Sequence, residues 1–316
     1  MQTRGRTAGL LIVALAVLGL ALLVSARFGH APVSSPRPTA SAREVSGSPV
    51  ATPGSSPAEA ILLAAGDIGY CAASNDDLVG QLAASLPGTI ALLGDIAYDN
   101  GSASEFANCF DPTWGPLRDR LRPVPGNHEY ETKDASGYYD YFGAAAGPRG
   151  EGWYSYDLGG WHLIAVNSEC GAIEGGCEGT DSAELAWLVA DLAAHPAECT
   201  LAYWHHPRYS SGKHGDDVMT DALWAALSDA GADLVLEGHD HHYERIAPVD
   251  GIRSFVVGTG GRSLYAWPGS PGPHTEVRNN DTYGLLELTL RPTDFSWRFV
   301  PAAGGSFTDS GTSACH

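Results

Sequence analysis

The sequence predicts an α/β fold with mixed sheets, and three observations lead to it. Early in the chain, short apolar segments alternate with segments of helical periodicity, a pattern that favours largely parallel strands. Two of the apolar segments, residues 61–65 and 89–93, end in Gly-Asp, which indicates a sharp exit at the strand's end. Near the end of the chain, residues 254–257, 284–290 and 295–300 resemble strands with no helix between them. We expect these three to form a second, partly antiparallel sheet packed against the first.

The remaining elements follow from local spacing. A helix is predicted over residues 75–86, capped by Asn75, because Leu78, Val79 and Leu82 recur on one face. Further predicted elements are a hairpin of residues 153–157 and 161–167, a helix beginning at 180–184, strands at 200–204 and 233–236, and a helix at 220–230.

The first 58 residues differ in composition from the rest of the chain. Two arginines precede an apolar stretch, residues 8–24, that ends in small residues, as is typical of a secretory signal peptide. An uncleaved signal anchor, which would tether the protein to a membrane through that stretch, is the alternative for residues 1–26. Residues 27–58 are rich in Pro, Ser and Ala and are interpreted as a disordered tether. Residues 59–316 are predicted to form one domain, secreted or in the cell envelope.

The charge of the chain limits its partners. The formal net charge is −19, so a broad basic surface for nucleic acid or anionic lipid is not expected. An anionic substrate would need locally supplied positive charge, which bound metal could provide. The sequence makes no prediction about oligomeric state.

Six cysteines follow the N-terminal segment, and an even number in an exported protein favours disulfides. Cys170 and Cys177 flank a Gly-rich turn and are the most natural partners. Fifteen pairings are formally open. The preferred set is Cys71 with Cys109, Cys170 with Cys177, and Cys199 with Cys315.

Metal-binding side chains recur at five places that follow or adjoin strand-like segments. Because parallel strands place their carboxyl ends at one edge of a sheet, these side chains should converge. Oxygen and nitrogen donors in this mixture suit iron, manganese and zinc. The five segments are Gly66-Asp67-Ile68-Gly69, Gly94-Asp95-Ile96-Ala97-Tyr98, Gly126-Asn127-His128-Glu129, His205-His206-Pro207 and Gly238-His239-Asp240-His241.

A Gly-rich segment, Gly258-Thr259-Gly260-Gly261, invites comparison with a phosphate-binding loop. It lacks the Gly-Lys-Ser/Thr ending and is not followed by a helical pattern. We therefore interpret it as a tight turn near the site.

In these five ordered segments the chain resembles the calcineurin-like metallophosphoesterases, and among them the purple acid phosphatases. That group's pattern is Gly-Asp-x-Gly, Gly-Asp-x-x-Tyr, Gly-Asn-His-Asp/Glu, a His closing a strand, and Gly-His-x-His. The resemblance covers residues 62–245. It implies a four-layer α/β/β/α sandwich, the metallophosphoesterase fold.

The resemblance also assigns ligands. Asp67, Tyr98 and His241 would hold one metal; Asn127, His205 and His239 would hold the other, with Asp95 bridging the two. Gly69 stands where many metallophosphoesterases carry a ligand His, and Tyr98 as a tyrosinate would replace it. A tyrosinate favours Fe(III), paired with Fe(II), Zn(II) or Mn(II).

Two histidines are candidates for catalysis. His128 stands inside the Gly-Asn-His segment beside a ligand and is the stronger candidate. His214 lies at the end of a polar loop able to fold over the site and is a candidate acid for the leaving group, although an exposed loop histidine is an equally good interpretation. His206 is expected to turn its ring away, towards packing or a hydrogen bond behind the ligands.

The resemblance implies hydrolysis of a small phosphate ester with metal-bound hydroxide as nucleophile, most simply by a phosphomonoesterase of the acid phosphatase type. The alternatives are a phosphodiesterase or nucleotide hydrolase on the same metals, and a non-catalytic envelope protein that binds metal or phosphate. The complete ligand set argues against the last of these.

Overall fold

The computed structural model describes residues 59–316, so the predicted signal peptide or anchor and the tether lie outside the described residues. Fifteen strands are present in that part of the chain: β1 (Ala60–Ala65), β2 (Gly69–Tyr70), β3 (Thr89–Leu93), β4 (Ala97–Tyr98), β5 (Leu121–Val124), β6 (Tyr154–Leu158), β7 (Trp161–Ala165), β8 (Thr200–Tyr203), β9 (Leu234–Glu237), β10 (Tyr243–Val249), β11 (Ile252–Val257), β12 (Thr275–Asn279), β13 (Gly284–Arg291), β14 (Asp294–Pro301) and β15 (Ser310–Ala314).

Seven α-helical segments accompany these strands, and several are only one turn long. They are α1 (Asn75–Ser85), α2 (Ala103–Glu105), α3 (Asp111–Trp114), α4 (Asn127–Tyr130), α5 (Ser136–Phe142), α6 (Ala183–Ala194) and α7 (Asp221–Asp229). Helix α6 begins where predicted, and the Ser182 side chain accepts a hydrogen bond from the Leu185 backbone as its cap. Helix α1 differs slightly from expectation, because Asn75 is its first residue and Ser74 occupies the cap position without a side-chain bond.

The strands form two large mixed sheets and one small parallel pair. The first sheet has the order β15-β14-β13-β1-β3-β5, and the second has the order β12-β10-β11-β9-β8-β7-β6. Within them, β1, β3 and β5 are parallel, as are β7, β8, β9 and β11. The carboxyl ends of these parallel strands carry the sequence segments that were predicted to converge.

Successive side chains along a strand point to opposite faces of the sheet, and this alternation produces four layers. In β1, Leu62 and Ala64 face a core shared by both sheets, whereas Leu63 and Ala65 face a second core. Helices α1 and α5 cover that second core, and helices α6 and α7 cover a third core on the outside of the other sheet. The predicted α/β/β/α sandwich is confirmed.

The prediction for the end of the chain is wrong in one respect. The strands predicted there do not form a sheet of their own, because β11 joins the second sheet parallel to β9, whereas β13 pairs with β1 in the first. The physical reason is that the side chains of β13 also alternate between the two faces, with Leu286 and Leu288 in the core between the sheets. Strand β13 can therefore pair with the edge of β1 that β3 leaves open. Strand β5 was not predicted, since Pro123 weakens its pattern; β5 is an edge strand, where proline is tolerated.

All three predicted disulfides are present and the described residues contain no free cysteine. Their Cα–Cα distances are 4.7 Å for Cys71–Cys109, 5.0 Å for Cys170–Cys177 and 5.5 Å for Cys199–Cys315. The first ties the loop after Asp67 to the segment after Tyr98, and the third fixes the end of the chain to the start of β8. Within residues 59–316, no helix has the length and apolarity needed to cross a membrane.

Candidate metal centre

Three candidate ligands share an unusual backbone conformation. Asp67, Asp95 and His239 each follow a glycine at a strand end, and their φ angles are 60°, 49° and 66°. L-residues rarely adopt this left-handed conformation, and it persists where the surrounding structure enforces it, often at functional sites. Here it reverses the chain directly at the sheet edge and leaves all three side chains there.

The first cluster of donors surrounds the hydroxyl of Tyr98. That oxygen lies 2.8 Å from Asp67 Oδ1, 2.9 Å from Asp95 Oδ2 and 3.1 Å from His241 Nε2. The His241 and Asp67 atoms are themselves 3.2 Å apart. Four donor atoms from three different segments therefore converge on one point.

The second cluster surrounds Nε2 of His205. This nitrogen lies 3.2 Å from His239 Nδ1, 3.3 Å from Asn127 Oδ1 and 3.4 Å from Asp95 Oδ1. Metal–nitrogen bonds of about 2.0–2.1 Å in a tetrahedron require donor separations of about 3.3 Å. Asp95 contributes one carboxylate oxygen to each cluster.

The orientation of two histidines is fixed from behind. The Nδ1 atoms of His205 and His241 each lie 2.8 Å from a backbone carbonyl, of Leu93 and Ser263 respectively. A carbonyl oxygen only accepts, so each Nδ1 carries a hydrogen and each Nε2 faces the cluster. Metal-ligating histidines are typically held by such outer hydrogen bonds.

The electrostatics of the two clusters favour binding of a cation. Asp67 Oδ2 is buried without a hydrogen-bond partner, which is costly for a carboxylate. Burial and the charges of Asp67 and Asp95 hold the pKa of Tyr98 well above its usual range. Burial alone would lower the pKa of His205, but Asp95 reverses this and raises it to about 10, which shows how strongly this carboxylate attracts positive charge.

The candidate catalytic residue His128 lies at the rim of the clusters. Its Nδ1 donates to the backbone oxygen of Asp99 at 2.5 Å, and Nε2 lies 3.8 Å from Asp95 Oδ2. The side chain is 31% exposed, so Nε2 can meet both solvent and a bound molecule. Its backbone N–H donates to Asp95 Oδ1 at 2.9 Å, which ties this residue to the shared carboxylate.

His214 also lies beside the clusters, on a loop that is already folded over them. Its ring centroid is 4.2 Å from that of His239 and 5.7 Å from that of Tyr265. The buried carboxylate of Asp240 accepts hydrogen bonds from the His214 backbone at 2.9 Å and from Ser210 Oγ at 2.6 Å. Asp240 therefore positions the loop, a role that its place between His239 and His241 did not reveal.

His206 follows its predicted orientation only in part. Its Nδ1 lies 3.1 Å from Ser168 Oγ and 3.5 Å from Glu169 Oε1, as expected of a hydrogen bond behind the ligands. Its ring, however, lies 4.4 Å from that of His239 rather than turned away.

Two supporting groups escaped prediction because they act through contacts distant in sequence. Buried Glu129 accepts hydrogen bonds from the backbones of Ile96, Ala97 and Gly126 and so joins two of the ligand segments. The Tyr265 ring stacks on His241 at 4.0 Å and 12°. No periodicity or spacing in the sequence marks either role.

The Gly-rich segment packs directly beside the candidate site, as predicted for a tight turn. A Cβ atom at Gly258 would collide with Asp240 O and lie 2.7 Å from Asp67 Oδ2, and one at Gly260 would collide with Gly66 O. Only glycine permits this approach, so the segment supports the Asp67 loop.

Comparison with known proteins agrees with this geometry. The model of the family described as calcineurin-like phosphoesterase matches residues 61–243. Purple acid phosphatase 15 of Arabidopsis thaliana is 28% identical over 62% of this chain and 42% of its own length; human acid phosphatase type 7 is 30% identical over 57% and 45%. A purple acid phosphatase from yellow lupin seeds superposes with a TM-score of 0.69 at 17% identity, covering 83% of this chain and 54% of that one.

The chain belongs to the calcineurin-like phosphoesterase family. Its relatives include purple acid phosphatases, and the lupin enzyme shares its fold. The chain spans less than half the length of these two curated relatives.

Proposed function

We propose that residues 59–316 form an exported phosphomonoesterase of the purple acid phosphatase type with two metal ions. The observation that carries the proposal is the pair of donor clusters joined by Asp95, whose two oxygens lie 2.9 Å from Tyr98 Oη and 3.4 Å from His205 Nε2. Export is supported by three disulfides, which persist in oxidising compartments.

The ligand assignment follows the two clusters. Asp67, Tyr98 and His241 would hold Fe(III), Asn127, His205 and His239 would hold Fe(II), Zn(II) or Mn(II), and Asp95 would bridge them. Two such ions supply an activated nucleophile near neutral pH and neutralise charge on a phosphate ester.

The chain's own residues supply positioning and protons. Nδ1 of His128 donates to a carbonyl, and when the ring also carries a proton on Nε2 that nitrogen would donate to a phosphate oxygen near Asp95. Burial lowers the pKa of His214, so its protonated ring, which is populated towards acid pH, is a stronger proton donor to a leaving group.

Hydrolysis assays test the proposal directly. Panels of phosphomonoesters and phosphodiesters should be compared on metal-loaded protein, with Asp95→Asn as the inactive control. Turnover of monoesters in preference to diesters is expected. A preference for diesters would make the protein a phosphodiesterase, and turnover of neither class would leave a binding protein.

Tyr98→Phe tests the iron assignment. A tyrosinate bound to Fe(III) absorbs visible light by charge transfer, so the wild-type protein should be violet or pink and the variant colourless. Absorption spectra and metal analysis of both proteins provide the measurement. Colourless, active wild-type protein containing only zinc or manganese would refute the iron assignment and leave hydrolysis intact.

His214→Ala tests the leaving-group acid. An alkoxide leaves poorly without a proton, whereas p-nitrophenolate needs little assistance, so kcat for an alkyl phosphate should fall about 10²-fold and that for p-nitrophenyl phosphate much less. The control is His195→Ala, an exposed histidine at the C-terminal end of helix α6 whose Nδ1 contacts Asp191 of the same helix. Equal losses on both substrates would remove His214 from the acid role.

A further inference from the structure

The chain has only two lysines, and one of them borders the candidate site. Lysine and arginine together number 18 against 37 acidic residues, and the lysines are Lys133 and Lys213. Lys133 is a surface residue, with a side chain 90% exposed and 3.8 Å from Asp134. Lys213 immediately precedes His214 in the loop held by Asp240.

Lys213 is fixed above the metal centre through an aromatic ring. Its Nζ lies 4.3 Å from the centroid of Tyr265, within the range of a cation–π interaction. The Tyr265 ring stacks on His241, and its backbone N–H donates to His241 O at 3.1 Å. The Tyr265 ring therefore contacts both the Lys213 ammonium and the parallel ring of His241, a candidate metal ligand whose centroid is 4.0 Å away.

This lysine also lacks a counter-charge. Among residues 59–316, no carboxylate oxygen lies within 4.0 Å of Lys213 Nζ, although most of the arginines in the same region form ion pairs. Arg262, which lies 5.1 Å from the Tyr98 ring, already contacts Asp99 at 3.4 Å. In so acidic a chain, an exposed ammonium without an acidic partner is available to an external anion.

We propose that Lys213, held over Tyr265, forms a subsite for a second anionic group on the alcohol portion of the substrate. The proposal rests on the proposed phosphomonoesterase function and on the placement of His214 beside the leaving group. It defines a substrate class: phosphomonoesters whose alcohol carries another carboxylate or phosphate. Lysine binds such a group as a point charge and does not require a fixed bidentate geometry.

Matched substrates test the subsite. We define a selectivity ratio as kcat/KM for 4-carboxybenzyl phosphate divided by kcat/KM for benzyl phosphate, and we measure it for the wild type, Lys213→Gln, Lys213→Arg and Lys133→Gln. A single partly exposed ion pair predicts that Lys213→Gln lowers the ratio about fivefold, and that added salt lowers it in the wild type. Lys213→Arg should preserve the ratio, as should Lys133→Gln. A ratio in Lys213→Gln equal to that of the wild type would overturn the subsite.

Chemical labelling provides a readout that does not depend on turnover. Both lysines of the metal-loaded protein are acetylated and quantified by peptide mass spectrometry with phenylphosphonate or 4-phosphonobenzoate present. The second compound should protect Lys213 more than the first does, and neither should protect Lys133. Equal labelling of Lys213 with both compounds would contradict the subsite even if activity were absent. If the wild type hydrolysed neither benzyl phosphate nor 4-carboxybenzyl phosphate, that result would count against the phosphomonoesterase proposal and not against the subsite.

Discussion

Asp95→Asn should lower kcat/KM for a phosphomonoester by about a thousandfold or more, because one substitution takes an oxygen donor from one of the two clusters and removes the negative charge that both share. Its two carboxylate oxygens face Tyr98 and His205 separately, and no other side chain among the described residues contacts both clusters in this way. Asparagine has the same shape but keeps only one oxygen and carries no charge. Steady-state kinetics together with metal analysis of the purified variant would show both losses.

The matched control is Asp119→Asn, an exposed aspartate in the segment before β5, at the opposite end of that strand from the ligands. It should retain wild-type activity and metal content. An Asp95→Asn protein that keeps two metals and full turnover would rule out the bridging role.

His128→Ala should lower kcat by about 10²–10³-fold while both metals remain bound. The reason is geometric, since His128 Nε2 points to the rim of the clusters at 3.8 Å from Asp95 Oδ2 and belongs to neither donor set. Turnover and metal content measured on the same preparation separate this role from ligation. Loss of metal from the variant would make His128 a structural support of the Asp95 segment instead.

The convergence of the candidate ligands could be predicted from sequence because these residues lie next to strand ends. The glycine before Asp67, Asp95 or His239 marks the end of a strand in the sequence itself, and the parallel strand arrangement brings those three positions together. The three disulfide pairings were also predictable in outline, since Cys170 and Cys177 are close in sequence. These successes depend on local patterns combined with one rule about parallel sheets.

The parts that sequence did not reveal depend on packing between distant segments. The positions of β11 and β13 in different sheets are decided by which strand edges remain open, and no pattern within either strand specifies that. Likewise, Tyr265 meets His241 only because the loop after the Gly-rich segment folds back across the site. Asp240 was adjacent to two predicted ligands, yet its contact with the His214 loop spans 26 residues.

A count of bound metal ions against activity decides whether two metal ions share Asp95. Metal-free protein would be titrated with Fe(III) and then with Zn(II), with bound metal and phosphomonoesterase activity measured after each addition. We expect two ions per chain in the active enzyme, activity that rises with the second equivalent, and no activity with one ion alone. Full activity with a single bound ion, or with none, would contradict the two-metal account.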